Sequence, residues 1–339
     1  MSDEEVNLFA QQAANRRKSV WLMLLFVAFF AWLGLGGDWI AWQLTKDLPP
    51  QAYHHLFPFG GAFLFAIGFG LVLYIRKTGA SKVLWSTGAT LLETPTTPEE
   101  KLLVNVVEEM AIASGIPKPK IYLVEDADPN AFATGMDPMN ASIAVTTGLL
   151  LTVNREELQA VIGHEMGHVK NLDIKLMTLM AGLVGAVALI SDGLGRGLRV
   201  GFGGRDSKSS KNMGPLVAVV LVLWIISWIL APIITRLMAV AISRKREYLA
   251  DAMSAQFTRN PLALASALEK IEGAVAPTAA IKGGVAHLCI ADPLGRKAGN
   301  MAGLVGDLFA THPPMAMRVA RLKAMGYQAQ KAAGNFQPS

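Results

Sequence analysis

The sequence predicts a mainly helical α+β protein that crosses a membrane several times and carries one small β-sheet. Three observations predict it. Apolar residues are gathered into long uncharged runs. A polar stretch between two of those runs holds several short extended segments. Most of the remaining polar sequence has helical periodicity with recognisable start signals. Of the 339 residues, 52% are hydrophobic and only 17% charged, a balance well away from that of soluble domains.

Lys18 and Asp38 enclose 19 uncharged residues, Asp47 and Arg76 enclose 28, and Lys211 and Arg236 enclose 24. A helix needs about 20 apolar residues to cross the hydrocarbon layer, so each run is long enough. A secretory signal has an apolar core of roughly 7–15 residues followed by a cleavage site. The first run is longer and ends in Ala31-Trp-Leu-Gly-Leu-Gly-Gly37, so it reads as a retained anchor. A fourth run, 176–191, has 16 uncharged residues and fits either a short span or a partly inserted hairpin.

Arg16, Arg17 and Lys18 precede the first run, and Arg76, Lys77 and Lys82 follow the second. The loop between them holds Lys46 beside Asp38 and Asp47. The positive-inside rule therefore puts both flanks, and the polar region of about 80–175, in the cytoplasm. The loop before the last run carries Arg196, Arg199, Arg205, Lys208 and Lys211 against Asp192 and Asp206. Full crossing by residues 176–191 would place that basic loop outside, in conflict with the same rule.

Basic residues beside the spans account for much of the net charge of +5. No basic face with interleaved aromatics is left to bind nucleic acid. The three long runs contain no charged residue and no repeat, which argues against a transporter. A single cysteine, Cys289, excludes an intrachain disulfide and a cysteine-based zinc cluster.

Thr97-Pro-Glu-Glu100 opens a helix, with Thr97 as N-cap, Pro98 as first helical residue and Glu100 as reciprocal partner; Gly115-Ile-Pro117 ends it. Lys120–Glu125, Ala131–Gly135 and Ser142–Thr147 read as strands, the last two separated by the turn-rich Met136–Asn140. A second helix starts at Asn154, with Glu157 three residues on, and runs through Val169. Further helices are expected over Ser243–Phe257, from Asn260-Pro261 to Gly273, and from Pro314 to Met325 with a stop at Gly326. Residues 274–310 read as loop and the last dozen as disordered. The chain thus divides into an N-terminal hairpin (1–80), a polar part (81–175), a second apolar hairpin (176–235) and a second polar part (236–339). Neither polar part is large enough to build a sizeable core, so the two are expected to fold together.

Residues 164–168 read His-Glu-Met-Gly-His. Histidines four apart project from one helix face and can share a single zinc ion, with Glu165 placed to take a proton from a metal-bound water. Such a motif recurs by chance. Here the apolar flanks Leu158–Ile162 and Val169 bury the helix, so its polar face needs partners. Gly167 lowers helix propensity by about 1 kcal/mol, which fits a place where another element comes close. A zinc site with an open position needs three protein ligands. His54 and His55 lie in the outer loop. Glu247-Tyr-Leu-Ala-Asp251 sets two carboxylates one turn apart, Glu247 to ligate and Asp251 to orient a ligand histidine through its other ring N–H. Gly193-Leu-Gly-Arg-Gly197 lacks the strand and lysine of a phosphate loop, so no nucleotide is expected. His287 and Cys289 offer only two donors.

Four stretches carry a resemblance, in order along the chain: Pro129-Asn-Ala-Phe-Ala-Thr-Gly135, Glu157 through Val169, Ser243-Arg-Lys-Arg-Glu-Tyr-Leu-Ala-Asp251 and Thr311-His-Pro-Pro314. With them the chain resembles the HtpX-type membrane metalloproteases, relatives of the zinc proteases that process prenylated CAAX proteins. The match extends over nearly the whole chain, least over 192–213 and 274–310. It implies a zincin-like (gluzincin) domain and one Zn2+ per chain held by His164, His168 and Glu247, with Glu165 as general base. Asp251 and Arg318 would support those ligands from behind, and Asn130, at an edge strand, would position substrate backbone. His312 and Arg318 are candidates for stabilising the tetrahedral oxyanion. Met315-Ala-Met317 lacks the acidic residues expected there in relatives.

The resemblance further implies a zinc-dependent endopeptidase of the bacterial inner membrane with a cytoplasmic active site. Its substrates would be misfolded, unfolded or damaged membrane proteins, in quality control and stress response. The lipid bilayer is then a partner, and neither nucleic acid nor nucleotide is. A dedicated processing protease and a zinc-binding scaffold without turnover are the alternative readings.

Overall fold

The computed structural model describes residues 8–45, 57–186, 244–274, 288–290 and 313–332. The last long apolar run, the basic loop before it and His312 lie outside them. By contacts the chain forms two compact units. One comprises Met1–Arg17, Gly79–Ala181 and Met238–Ser339, and the other comprises Lys18–Thr78 and Gly182–Leu237.

Helix α1 spans Leu8–Thr45 and α2 spans Phe59–Ser86. Both outrun their apolar runs: α1 begins ahead of Arg16, and α2 continues past Lys77. Each has the length and hydropathy of a membrane-crossing helix. Trp21, Leu25 and Trp39 on α1, and Phe63 and Phe65 on α2, are exposed. So much contiguous aromatic and aliphatic surface is stable against lipid rather than water. At the hairpin turn, Asp38 accepts the backbone N–H groups of Gly60 at 2.9 Å and Gly61 at 2.7 Å. These open α2, where unpaired amides and the helix dipole favour a carboxylate.

The sheet contains β1 (Thr90–Leu91), β2 (Lys120–Val124), β3 (Ala131–Thr134) and β4 (Ser142–Thr146), in the order β1-β2-β4-β3. β2 and β4 are parallel and the other pairs antiparallel. Thr146 N–H donates to the Asn130 carbonyl at 3.0 Å. By the alternation of an antiparallel ladder, the backbone groups of Ala131 and Ala133 therefore turn away from β4. Residues 288–290, in the stretch read as loop, take up part of this edge. Cys289 bridges Phe132, and Ile290 N–H donates to the Ala131 carbonyl at 3.0 Å.

Helix α3 (Pro98–Ser114) has its full capping box and ends at Gly115, whose φ of 70° suits glycine. Short α4 (Thr147–Thr152) follows β4, and α5 (Arg155–Lys170) opens on a second capping box, Asn154 with Glu157. α5 does not run straight into the apolar run 176–191. Instead a turn at 171–172 intervenes, with Leu172 left-handed at φ 60°, before α6 begins at residue 173 and runs to 186. Beyond come α7 (Arg244–Thr258), α8 (Pro261–Gly273) and α9 (Met315–Ala332). α9 does not stop at Gly326. A Cβ there would lie 2.6 Å from Leu262 Cδ2, so this glycine lets α9 close on α8 rather than ending the helix.

Leu103, Val106 and Val107 of α3, Ile143 and Val145 of β4, Leu158 and Ile162 of α5, Leu264 and Leu268 of α8 and Leu322 of α9 share one buried core. α5 runs through its middle, packed against α3, α7, α8 and β3.

Candidate metal centre

Close approach of α5 and α7 builds the centre. A Cβ on Gly167 would lie 3.2 Å from Ala250 Cα, so glycine is needed where α7 crosses. One turn away, Ser254 Oγ–H donates to the Ala160 carbonyl at 2.6 Å and locks the crossing. His164, Glu165 and His168 on α5 thereby face Glu247 and Asp251 on α7, all of them buried.

His164 Nε2 and His168 Nε2 are 3.1 Å apart. Glu247 Oε2 lies 3.8 Å from the first and Glu247 Oε1 3.6 Å from the second. Two ligand atoms on one tetrahedral zinc sit about 3.4 Å apart when each bond is near 2.1 Å. The donors thus have the spacing and chemistry of a zinc site. Among the described residues, these three side chains are the group with metal-ligand spacing.

Each histidine is held from behind. His164 Nδ1 meets Asp251 Oδ1 at 2.9 Å, and His168 Nδ1 meets Asp173 Oδ2 at 3.1 Å. A carboxylate at Nδ1 places the proton there and leaves the Nε2 lone pair for a metal. Asp173 was missed in the sequence reading. Its signal was an acidic residue five positions after the second histidine, which reaches back only because Leu172 reverses the chain.

Arg318, fully buried, donates from Nε and Nη2 to the two oxygens of Asp251 at 3.0 and 2.6 Å, and from Nη1 to the Ile290 carbonyl at 3.0 Å. Nη1 also lies 3.6 Å from Glu247 Oε2. The guanidinium thus holds both oxygens of Asp251 and lies against Glu247. Asn130 sits at the start of β3. Its N–H donates to Thr146 Oγ1 at 2.8 Å, and its side-chain oxygen accepts the Ala131 N–H at 3.1 Å.

Burial pulls His164 down to about 4, against the Asp251 hydrogen bond. Burial also works against protonated His168, but Asp173 and the Glu247 charge outweigh it and raise that residue to about 9. Burial, reinforced by Glu247, raises Glu165 to about 7. Neither oxygen of Glu165 makes a hydrogen bond of ordinary geometry; the nearby Ala133 amide favours its charged form. Asp251 resists its own burial because Arg318 and His164 hold it ionised. Without a metal the site concentrates negative charge and keeps a proton on His168, the electrostatic deficit that a divalent cation removes.

The model of peptidase family M48 matches residues 98–326. A protein described as protease HtpX homolog, from Thermoanaerobacter pseudethanolicus, is 41% identical over 320 residues, covering 94% of this chain and 98% of its own. One of the same description from Streptococcus gordonii is 38% identical over 325 residues, covering 94% and 100%. The crystal structure of S. mikatae Ste24p is similar at a TM-score of 0.46 and 18% identity, over 94% of this chain and 67% of that one. The chain therefore belongs to peptidase family M48 and is one of its HtpX-type members.

Proposed function

We propose that the protein is a multi-pass zinc endopeptidase of the bacterial inner membrane. It cleaves misfolded or damaged membrane proteins at a cytoplasmic zincin-like site. The observation that carries this reading is the buried triad of donor atoms, His164 Nε2, His168 Nε2 and the Glu247 carboxylate, beside the unsatisfied carboxylate of Glu165. Zinc held by the triad would polarise a scissile carbonyl and acidify water.

The chain's own residues do the rest. Burial raises the proton affinity of Glu165 above that of a free carboxylate, so it takes the proton of the attacking water and passes it to the leaving nitrogen. Arg318 holds Asp251, Asp251 orients His164, and Asp173 orients His168. The outward carbonyl of Ala133 can accept an N–H of an extended polypeptide as an added strand. Such pairing requires unfolded substrate, which supports the quality-control reading. Asn130 fixes the start of that strand.

Protein purified in detergent is expected to carry one zinc per chain and to cleave casein. Chelation should abolish cleavage and zinc restore it; undiminished cleavage without metal would overturn the reading. A reporter fused after Ser339 should report the cytoplasm, and periplasmic activity would overturn the orientation.

Zinc uptake should also release a proton. In the metal-free protein His168 keeps its proton up to about pH 9, whereas a nitrogen holding a metal is unprotonated. At pH 8, where Glu165 is already largely ionised, close to one proton should leave per zinc. Apparent affinity should rise about tenfold per pH unit and level off above about pH 9. Calorimetry in buffers of differing ionisation enthalpy counts that proton, and zero release would contradict the assignment of His168.

A further inference from the structure

We propose that Asn15, on the part of α1 ahead of the first apolar span, is a positioning residue for the metal centre, acting on His168 through Asp173. The inference rests on the reading that His164, His168 and Glu247 hold zinc.

Asn15 is 2% exposed. Its Nδ2 donates to Asp173 Oδ1 at 2.7 Å and to the Asn171 carbonyl at 2.9 Å. One turn earlier on the same helix, Gln12 Nε2 donates to the Lys170 carbonyl at 2.7 Å. The carbonyls of Lys170 and Asn171 end α5, where a helix leaves its last acceptors without partners of its own. Two amides of α1 therefore close the C-terminal end of the helix that carries both histidines. They also pin the left-handed turn at Leu172, through which Asp173 reaches His168.

A carboxylate orients an imidazole only if the carboxylate is itself fixed. Asp173 Oδ2 is given to His168 Nδ1, so Oδ1 must do the fixing. Two groups face it. Arg246 Nη1 stands at 3.4 Å, and the Nε and Nη2 of that buried guanidinium make no hydrogen bond. Asn15 is the shorter contact and also ties the carboxylate to the neighbouring carbonyl. Arg246 supplies charge, and Asn15 supplies direction. The metal centre thus extends from α1 to His168 across 158 positions of sequence between Asn15 and Asp173, and nothing in the zinc motif announces it.

The test compares full-length wild type, Asn15→Leu and Asn15→Ser in detergent. It measures the zinc dissociation constant by competition with a chromophoric chelator, and the visible absorption of the cobalt-substituted protein. Asn15→Leu keeps the volume without the donor and should weaken zinc about tenfold, the lower end for groups behind metal ligands, and shift the cobalt spectrum. Asn15→Ser keeps a shorter donor and should fall between; it decides against wild type if Asn15→Leu does not fold. In an Asp173→Ala background, Asn15→Leu should cause no further loss. A folded Asn15→Leu protein with wild-type zinc affinity and cobalt spectrum would reduce Asn15 to a structural clamp and overturn the proposal. So would an undiminished effect in the Asp173→Ala background. Wild type that binds no zinc would instead overturn the metal centre itself, and the inference with it.

Discussion

Glu165→Gln is expected to leave the zinc content at wild-type level while lowering kcat about 10²–10⁴-fold, the usual contribution of a positioned general base. Gln has almost the same volume and makes no metal bond in this geometry, so the three donor atoms on α5 and α7 keep their places. What it loses is the ability to take up and release a proton. Glu165 is suited to that task because its carboxylate is buried beside the three donors, and burial raises its proton affinity above that of a free carboxylate. Zinc analysis and casein cleavage on one preparation separate the two effects. A variant that cleaves as fast as wild type would remove Glu165 from the mechanism, and one that loses its zinc would make it a structural part of the site. His168→Ala, by contrast, should lose zinc and activity together.

The largest stability effect is expected at Arg318. Its guanidinium is the cation bonded to both oxygens of buried Asp251 and also lies 3.6 Å from Glu247. Arg318→Met strands that negative charge in the interior, which destabilises by about 3–5 kcal/mol when a buried pair is broken from one side. For a unit of this size the Tm should fall by on the order of 10 °C. Adding Asp251→Leu should recover part of the loss, because an apolar pair of similar volume carries no desolvation penalty. Zinc affinity should not recover with it, since His164 would still lack its Nδ1 partner. Scanning calorimetry and zinc competition on the single and double variants test both halves. Equal stability of Arg318→Met and wild type would show that the pair is not the support described above.

The three donor side chains that the structure brings together, and Glu165 beside them, were legible because their signals are local. Four-residue spacing puts two histidines on one face, Asn154 and Glu157 announce the start of the helix, and Gly167 marks the crossing that brings Glu247 near. Three of the four strands stood out by the same kind of short-range pattern, whereas the two residues of β1 are too few to show one. What the sequence hid depends on contacts between distant segments. Asp173 joins the site through a left-handed leucine that no propensity favours. Arg318 meets Asp251 because α9 packs over α7, and Gly326 signals tight packing rather than a helix end. Residues 288–290 looked featureless because a strand made of one bridge has no periodicity to read. Asn15 sits among basic residues whose obvious meaning was topology.

The clasp between Asp38 and the start of α2 sets an order of events during synthesis. The carboxylate leaves the ribosome 22 residues before Gly60 does, an interval of roughly 1–4 s at usual elongation rates. Until then Asp38 on the first apolar helix has no α2 amides to accept. The contact that joins the end of α1 to the start of α2 therefore closes only after both segments have been made.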